Sequence, residues 1–507
     1  MNLQQLPLIS IVLFFPVVGA VILFFVKRDD VELIKRFTLV WTILTFVLSL
    51  GFVLGFQSGE PGFQFQENLP WIPQLGIGYQ VGLDGISLLL IILTTGLMPL
   101  AVLSSFKAIT DRVKEYYIFM LLLEVGMLGV FVSLDLFLFY VFWEVTLVPM
   151  YFLIGIWGGK RRVYAAVKFF LYTMAGSLLM LLAILYLGIH GGTFSLPELL
   201  ANQGWLKDAP QMLLFVFFGI AFAIKVPMWP FHSWLPDAHV EAPTAGSVIL
   251  AGVLLKMGTY GFLRFNLPLF PQASQQAAPF IIILAIIGII YGAIVSFAQT
   301  DVKKLVAYSS VSHLGFVMLG IFASAAVLST GQLDPTGIQG ALLQMVNHGI
   351  STGALFLLVG FIYERRHTRE MAEFGGLWKI LPIYGSIMLV VALSSMGLPG
   401  LNGFVGEFTI LLGTWAANPW WAAFAAIGVI LAAIYILTMF QKIFMGETHN
   451  EENKHLIDLS RRELWVIVPL LVFIFVIGIF PQPFFSTMTA SVNHLLQSMA
   501  SGAVALH

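Results

Sequence analysis

Cysteine is absent from this 507-residue sequence. The chain therefore forms no disulfide bond and offers no thiolate for catalysis, for a zinc site or for an iron–sulfur cluster. Charged residues are scarce at 10% of the sequence, whereas a soluble globular protein carries about 25%. Hydrophobic residues make up 59%, and the mean hydropathy is +0.93. This composition excludes a soluble globular protein and predicts a polytopic membrane protein.

Signals for nucleotide and nucleic-acid binding are also missing. No Gly-rich phosphate loop is followed by Lys and Ser or Thr, and no dinucleotide-binding fingerprint occurs. Twenty-five basic and 26 acidic residues give a net charge of −1, so no nucleic-acid partner is predicted. No metal site is predicted either. Residues 1–7 carry neither a basic cluster nor a small-residue cleavage site, which favours a membrane span over a signal peptide at the N-terminus.

Apolar runs long enough to cross a bilayer recur along the whole chain. Each crossing needs roughly 20 residues, and runs without alternation argue against a β-barrel. The sequence therefore predicts an all-α protein of about 14 transmembrane helices. We number them as spans 1–14, at 6–26, 37–56, 84–105, 115–133, 135–157, 163–188, 212–236, 243–264, 278–298, 302–326, 336–363, 380–416, 419–441 and 463–480. No loop is long enough for a folded domain outside the membrane, so residues 1–507 are predicted to form one domain.

Basic residues alternate between the loops. Twenty of the 25 basic residues fall in odd-numbered loops, whereas the even-numbered loops hold Lys207 and, at a helix edge, Arg264. The positive-inside rule places the odd-numbered loops in the cytoplasm and both termini on the other side. The strict alternation also supports the helix count, because one missed span would invert every later loop.

Two spans contain residues that interrupt helices. Span 7 holds Pro227 and Pro230, and span 12 runs about 37 residues through the segment 397–403 (GLPGLNG). Matched helix breaks at membrane depth are typical of transporters built from inverted repeats. Since spans 7 and 12 lie five apart, we predict inverted five-helix repeats at spans 4–8 (residues 115–264) and 9–13 (278–441). Spans 1–3 (1–114) would precede them, and span 14 with the tail (463–507) would follow.

Six ionisable side chains are predicted near the middle of the bilayer. They are Glu144 in span 5, Lys225 in span 7, Lys256 in span 8, His313 in span 10, His348 in span 11 and Glu407 beside the break in span 12. A charge at this depth costs at least ~2.5–3.5 kcal/mol, so several at one depth imply mutual pairing or access to water. Such a set can pass protons along the plane of the membrane.

Other interpretations of single residues remain open. Glu144 or Lys225 could belong to a structural ion pair, and the two histidines could be packing residues or a haem pair. Glu124 in span 4 has no clear role, and Lys168 could snorkel to the surface. His232 could connect the regions around the break. Asp237 and His239 could form a cytoplasmic entry or a solvated loop.

Four segments together resemble a known family. They are 142–152 (FWEVTLVPMYF), 233–247 (SWLPDAHVEAPTAGS), 397–400 (GLPG) and 404–408 (FVGEF). They are similar to the subunit M, or subunit-4, family of respiratory complex I, also called NADH–quinone oxidoreductase. The similarity extends over essentially the whole chain, and this family shares its fold with cation/proton antiporter subunits.

The resemblance implies a proton-translocating antiporter-like subunit in the membrane arm of complex I. The alternative function is that of a subunit of a multisubunit cation/proton antiporter. The resemblance implies that this chain carries no cofactor and that FMN, iron–sulfur clusters and quinone are bound by partner subunits. It also implies L-type and N-type subunits as neighbours and a location in a bacterial inner membrane. It also assigns proton-carrying roles to the six midplane residues. Glutamate at position 407 resembles subunit M and differs from the L and N subunits. A passive anchor subunit is the remaining possibility.

Overall fold

The computed structural model describes residues 3–202, 204–205 and 209–504. Twelve helices of this part are long and apolar enough to cross a membrane unbroken. They are Leu8–Phe25, Val31–Gly55, Gly85–Ala108, Val113–Val132, Leu136–Trp157, Arg162–Gly191, Thr244–Leu269, Pro271–Phe297, Val302–Leu328, Thr336–Arg366, Pro419–Phe444 and Arg461–Ile479, which correspond to spans 1–6, 8–11, 13 and 14. The predicted all-α membrane fold is confirmed.

Spans 7 and 12 complete the set as broken helices. Span 7 consists of Gln211–Lys225 and Trp234–Glu241, and span 12 consists of Pro382–Ser395 and Asn402–Ala417. In the span 12 break, Gly397 and Gly400 have φ angles of +80° and +92°, which residues with a Cβ rarely adopt. Because span 12 comes five positions after span 7, with four crossings between them, the chain passes through the two broken spans in opposite directions, as inverted repeats require.

The centre of the molecule is formed by spans 8, 10 and 11. The most hydropathic stretches of spans 8 and 11 are completely buried, and that of span 10 is 94% buried. Span 8 contains two π-helical segments, Leu250–Leu254 and Phe262–Asn266. Such segments inside α-helices are frequent at functional sites. Lys256, His313 and His348 on these three spans are therefore surrounded by other helices.

The odd-numbered loops meet on one face of the molecule. Loops 3, 5, 7, 9 and 11 line one open cavity with about 1720 Å³ of empty space, and its lining includes Lys160, Glu241, Asp301, Lys303 and Arg369. This shared face agrees with the alternation of basic residues in the sequence. Lys207, assigned to an even-numbered loop, lies outside the described residues.

The opposite face carries two elements that the hydropathy pattern does not predict. Strands β1 (Gln64–Ile72) and β2 (Ile77–Leu83) pair antiparallel between spans 2 and 3, with Gly76 in the left-handed region at the turn. A C-terminal helix, Gln482–Val504, follows span 14. Its Ser491 Oγ accepts a hydrogen bond of 3.0 Å from Gly85 N at the start of span 3. The helix thus lies across the outer ends of the spans.

Candidate proton pathway

Spans 8 and 11 bring a lysine and a histidine into direct contact. Lys256 Nζ lies 2.6 Å from Nδ1 of His348, although 92 residues separate them in the chain. The Lys256 amine also donates to the carbonyl oxygen of Ala251, one turn back in the first π-helical segment of span 8. Lys256 is 0% and His348 2% exposed. A proton can be shared between the amine and the imidazole without passing through bulk water.

Spans 10 and 12 hold a second contact of this kind. His313 Nδ1 lies 2.7 Å from Glu407 Oε1, and both side chains are buried. Gln344 Nε2 donates to the same carboxylate oxygen at 3.0 Å, and the Tyr435 hydroxyl lies 3.1 Å from His313 Nε2. The carboxylate and the imidazole are therefore oriented by neighbours from spans 11 and 13.

The two pairs lie next to each other. The ring centroids of His313 and His348 are 5.9 Å apart, which leaves a short gap between the pairs. A small cavity, with about 200 Å³ of empty space in all, adjoins both rings. Its other lining residues are mostly polar, namely Gln344, Asn347, Ser351, Thr352, Ser394, Ser395 and Gly403. Polar walls of this kind suit an ordered water that joins the imidazoles, whereas the cavity is too small for a porphyrin.

The break in span 12 is tied to span 11 beside this cavity. Asn347 Nδ2 donates to the Asn402 carbonyl oxygen at 2.7 Å, and Asn402 Nδ2 donates to Ser351 Oγ at 3.0 Å. The hydroxyls of Ser351 and Ser394 lie 2.7 Å apart. Backbone groups freed by the break are thus satisfied by polar side chains, which allows non-helical backbone at membrane depth.

Glu144 and Lys225 are not in contact. Lys225 Nζ lies 5.3 Å from the ring centroid of Trp143 and 5.7 Å from that of Phe169. No ion pair of Lys225 is found within the described part of the chain. Glu144 is half-buried, and its Oε1 has no hydrogen-bond partner there. The predicted pair is therefore open in this conformation, with the amine held against aromatic rings.

Polar groups surround the break in span 7. Lys168 does not snorkel, because its Nζ binds Asp237 Oδ2 at 2.7 Å and the Ser233 carbonyl oxygen at 3.0 Å. His232 Nε2 lies 3.3 Å from the Tyr291 hydroxyl on span 9. Asp237 and His232 are thus placed near the break but in separate hydrogen-bonded groups.

His239 lies in the second half of span 7 and not in a solvated loop. It is 0% exposed, and neither ring nitrogen has a hydrogen-bond partner among the described residues. Its ring stacks on Phe356, with centroids 4.5 Å apart. Two residues further along the chain, Glu241 lines the large cavity of the odd-numbered loops. His239 is therefore a buried, unpartnered imidazole two residues from the wall of this cavity.

Glu124 is also completely buried. Both of its carboxyl oxygens are without a hydrogen-bond partner in the described structure. The structure brings it into contact with none of the six midplane residues by a hydrogen bond or an ion pair.

Comparison with known proteins decides the family. Residues 133–435 match the family described as "NADH:quinone oxidoreductase/Mrp antiporter, TM", and residues 11–133 match "NADH-ubiquinone oxidoreductase chain 4, amino terminus". NADH-quinone oxidoreductase subunit M of Rhodobacter capsulatus is 46% identical over 506 residues, which cover 97% of this chain and 96% of the relative. The chain belongs to the subunit M family of NADH–quinone oxidoreductase.

Solved structures agree with membership in the subunit M family. A chain of "Respiratory complex I from Thermus thermophilus with bound NADH" has a TM-score of 0.86 and 33% identity, covering 98% of this chain and 100% of that one. A chain of the Mrp complex from Dietzia sp. DQ12-45-1b has a TM-score of 0.84 at 20% identity, covering 99% and 100%, which shows a shared fold. The resemblance and the predicted assignment to complex I are confirmed, and the antiporter alternative is not favoured.

Several polar residues of this subunit M family chain were not singled out from the sequence. Gln344, Asn347 and Ser351 share one side of span 11 with His348, at spacings of three and four residues. That polar stripe in an otherwise apolar helix is a signal that could have identified them. Tyr435 gives no such signal, because a tyrosine in a membrane span is common and its contact with His313 depends on helix packing.

Proposed function

We propose that this chain is a proton-translocating subunit of an NADH:quinone oxidoreductase and carries no redox group itself. FMN, iron–sulfur clusters and quinone would belong to partner subunits, in keeping with the absence of cysteine here. The observation that carries the proposal is the buried series Lys256, His348, His313 and Glu407, in which two direct contacts flank a polar cavity. We further propose that residues 115–264 and 278–441 act as the two inverted halves of one domain.

The central series would carry protons from Lys256 to Glu407. A proton on Lys256 passes to His348 Nδ1, and a water in the cavity links His348 to His313. His313 then protonates Glu407, which exchanges with the non-cytoplasmic side. Gln344 and Tyr435 act as positioning residues, because they hold the carboxylate and the imidazole by hydrogen bonds.

Glu144 and Lys225 would form the switch. When they are apart, the amine is buried among aromatic rings without a carboxylate partner among the described residues. When they approach, the carboxylate stabilises the charged amine. Moving one charge against 100 mV requires ~2.3 kcal/mol, which the change at one partly buried ion pair can supply. Conformational change in neighbouring subunits would open and close the pair.

Protons would enter from the cavity of the odd-numbered loops. Glu241 and Lys303 line it, and the buried imidazole of His239 would connect it to the centre. An unpartnered imidazole can accept a proton on one nitrogen and release it from the other. Asp237 and His232 would assist at the break, through Lys168 and Tyr291 respectively.

We place the chain in a bacterial inner membrane with both termini on the non-cytoplasmic side. The basic residues of the odd-numbered loops support this orientation. The partners would be L-type and N-type antiporter-like subunits together with lipid, and no nucleic acid. Glu144 is half-buried at midplane depth in the isolated chain, and a neighbouring subunit would cover it.

Isolation of the intact complex tests the proposed function. A tag on this chain is expected to copurify FMN-containing and iron–sulfur subunits, together with NADH–quinone reductase activity that acidifies inverted membrane vesicles. Copurification with small membrane subunits alone, and no NADH oxidation, would instead establish a cation/proton antiporter. Complete pumping after all six midplane residues are neutralised would establish a passive anchor.

His239→Phe is expected to lower NADH-driven proton pumping by about tenfold or more, since a positioned acid–base group typically contributes 10²-fold or more. Phenylalanine keeps the stacking on Phe356 but has no nitrogen to carry a proton. Proton uptake is measured in inverted vesicles by fluorescence quenching. Lys160→Ala, at the rim of the same cavity, is the control and should pump normally. Normal pumping by His239→Phe would show that protons enter elsewhere.

A further inference from the structure

Span 8 carries three ionisable side chains between the midplane and the non-cytoplasmic face. Lys256, Tyr260 and Arg264 are spaced four residues apart and so follow one side of the helix. None is more than 7% exposed. At 1.5 Å per residue, Arg264 lies about 12 Å along the helix from Lys256. A row of this kind would form a second outlet from the central lysine, bypassing Glu407, if protons could move along it.

A cavity reaches the outer end of this row. It has a volume of about 490 Å³ and is lined by Asp84, Arg264, His494, Ser491 and Ser498, among others. The cavity lies under the C-terminal helix, which contributes the histidine and both serines. Water on the non-cytoplasmic side can therefore come close to Arg264, and the row needs a barrier at this point.

Arg264 is fixed from two sides. Its Nη2 donates to Asp84 Oδ1 at 2.6 Å, and its Nε donates to the Tyr260 hydroxyl oxygen at 3.1 Å. The guanidinium also lies 4.9 Å from the ring of Phe63. Asp84 is held in turn by the backbone N–H groups of Ile86 and Ser87, at 3.0 and 3.1 Å, at the start of span 3.

The direction of these hydrogen bonds excludes a proton relay. A guanidinium has five donors and no acceptor, and it keeps its proton in proteins. Tyr260 accepts from Arg264 Nε and donates its own hydrogen to the Phe131 carbonyl oxygen at 3.0 Å. The chain of bonds from the cavity thus ends on a backbone carbonyl of span 4 and does not reach Lys256.

We propose that Arg264, positioned by Asp84 and Tyr260, is a seal that prevents protons on the non-cytoplasmic side from returning to Lys256 along span 8. This inference rests on the proposed function, in which Lys256 carries protons. Arg264 is a positioning residue here and takes no part in forward transfer. The seal confines the outlet to the Glu407 side of the molecule.

The rate at which a proton gradient decays tests the seal. Inverted vesicles containing the complete complex are acidified by a pulse of NADH, turnover is then stopped, and the decay of the pH difference is followed. Arg264→Gln replaces a group that only donates by one that both donates and accepts. We expect this variant to speed the decay by about tenfold or more, with NADH–quinone reduction at the wild-type rate in the presence of an uncoupler.

Two companion variants separate a seal from a structural ion pair. Asp84→Asn keeps the guanidinium and should hold the gradient nearly as well as the wild type. The double variant Asp84→Asn with Arg264→Gln leaves no unpaired charge, yet it should leak like Arg264→Gln. A structural pair predicts the reverse, with both single variants impaired and the double variant restored. A double variant that holds the proton gradient like the wild type would therefore overturn the proposal. The double variant provides this test even if Arg264→Gln does not assemble.

The route of the leak is tested by adding Lys256→Met to the double variant. This change should abolish the leak, and a leak that persists would show that the seal does not protect Lys256. The proposed function is assessed separately by pumping in Glu407→Gln. If Glu407→Gln stops pumping and Arg264→Gln still holds the proton gradient, only the proposed seal is refuted. If Glu407→Gln pumps fully, the proposed outlet at Glu407 is refuted.

Discussion

Lys225→Ala and Glu144→Ala are each expected to lower NADH–quinone reduction coupled to proton pumping by about tenfold or more, a loss of at least ~1.4 kcal/mol. The two side chains are out of contact in the structure, with the amine against Trp143 and Phe169. A switch that works by approach and separation needs both partners, so loss of either one removes it. The complex should still assemble, because neither residue makes an ion pair that holds helices together within the described structure.

The double variant Lys225→Ala with Glu144→Ala makes this test specific. Residues that act as one unit are non-additive, so the double variant should be no worse than either single variant. Coupled turnover and vesicle acidification are measured together, with the amount of assembled complex determined from the same membranes. Arg36→Ala is the control, since Arg36 is exposed and pairs only with Glu32 on its own helix within the described chain. Unaltered coupled turnover in both single variants would refute the switch.

Glu407→Gln is expected to reduce proton release by about tenfold or more, because an amide cannot take the proton that His313 delivers. Glutamine has nearly the same shape, so packing around the break in span 12 is retained. Oε1 of Glu407 receives bonds from both His313 and Gln344, and the amide oxygen can still accept them. The defect should therefore lie in transfer rather than in folding.

Proton release by Glu407→Gln is followed as acidification per NADH oxidised in inverted vesicles. Glu198→Gln is the matched control, since Glu198 is an exposed carboxylate on the even-numbered loops that binds Thr193. Glu407→Asp should recover part of the activity, because it restores a titratable group with a shorter reach. Full pumping by Glu407→Gln would exclude Glu407 as the outlet.

The depth of the charges and the positions of the breaks could be predicted from the sequence. Charges are costly in lipid and are therefore rare, so Lys256 or His348 within an apolar run is conspicuous. Proline and glycine interrupt helices through local geometry, which made the breaks in spans 7 and 12 predictable.

Contacts between spans could not be predicted in the same way. His313 and Glu407 lie 94 residues apart, and their 2.7 Å contact depends on how spans 10 and 12 pack. The separation of Glu144 and Lys225 is likewise a property of one conformation. Hydropathy also missed the pair β1 and β2, since a short hairpin outside the membrane leaves no long apolar run.

The complete burial of the most hydropathic stretches of spans 8 and 11 has a consequence for the surrounding bilayer. Acyl chains would touch the outer helices of the bundle, while Lys256 and His348 lie buried behind those helices. Changes in bilayer thickness or lipid headgroup should therefore affect the association of this chain with its neighbouring subunits more than its rate of proton transfer. A complex that stays intact in detergent should therefore keep the buried contacts between Lys256 and His348 and between His313 and Glu407.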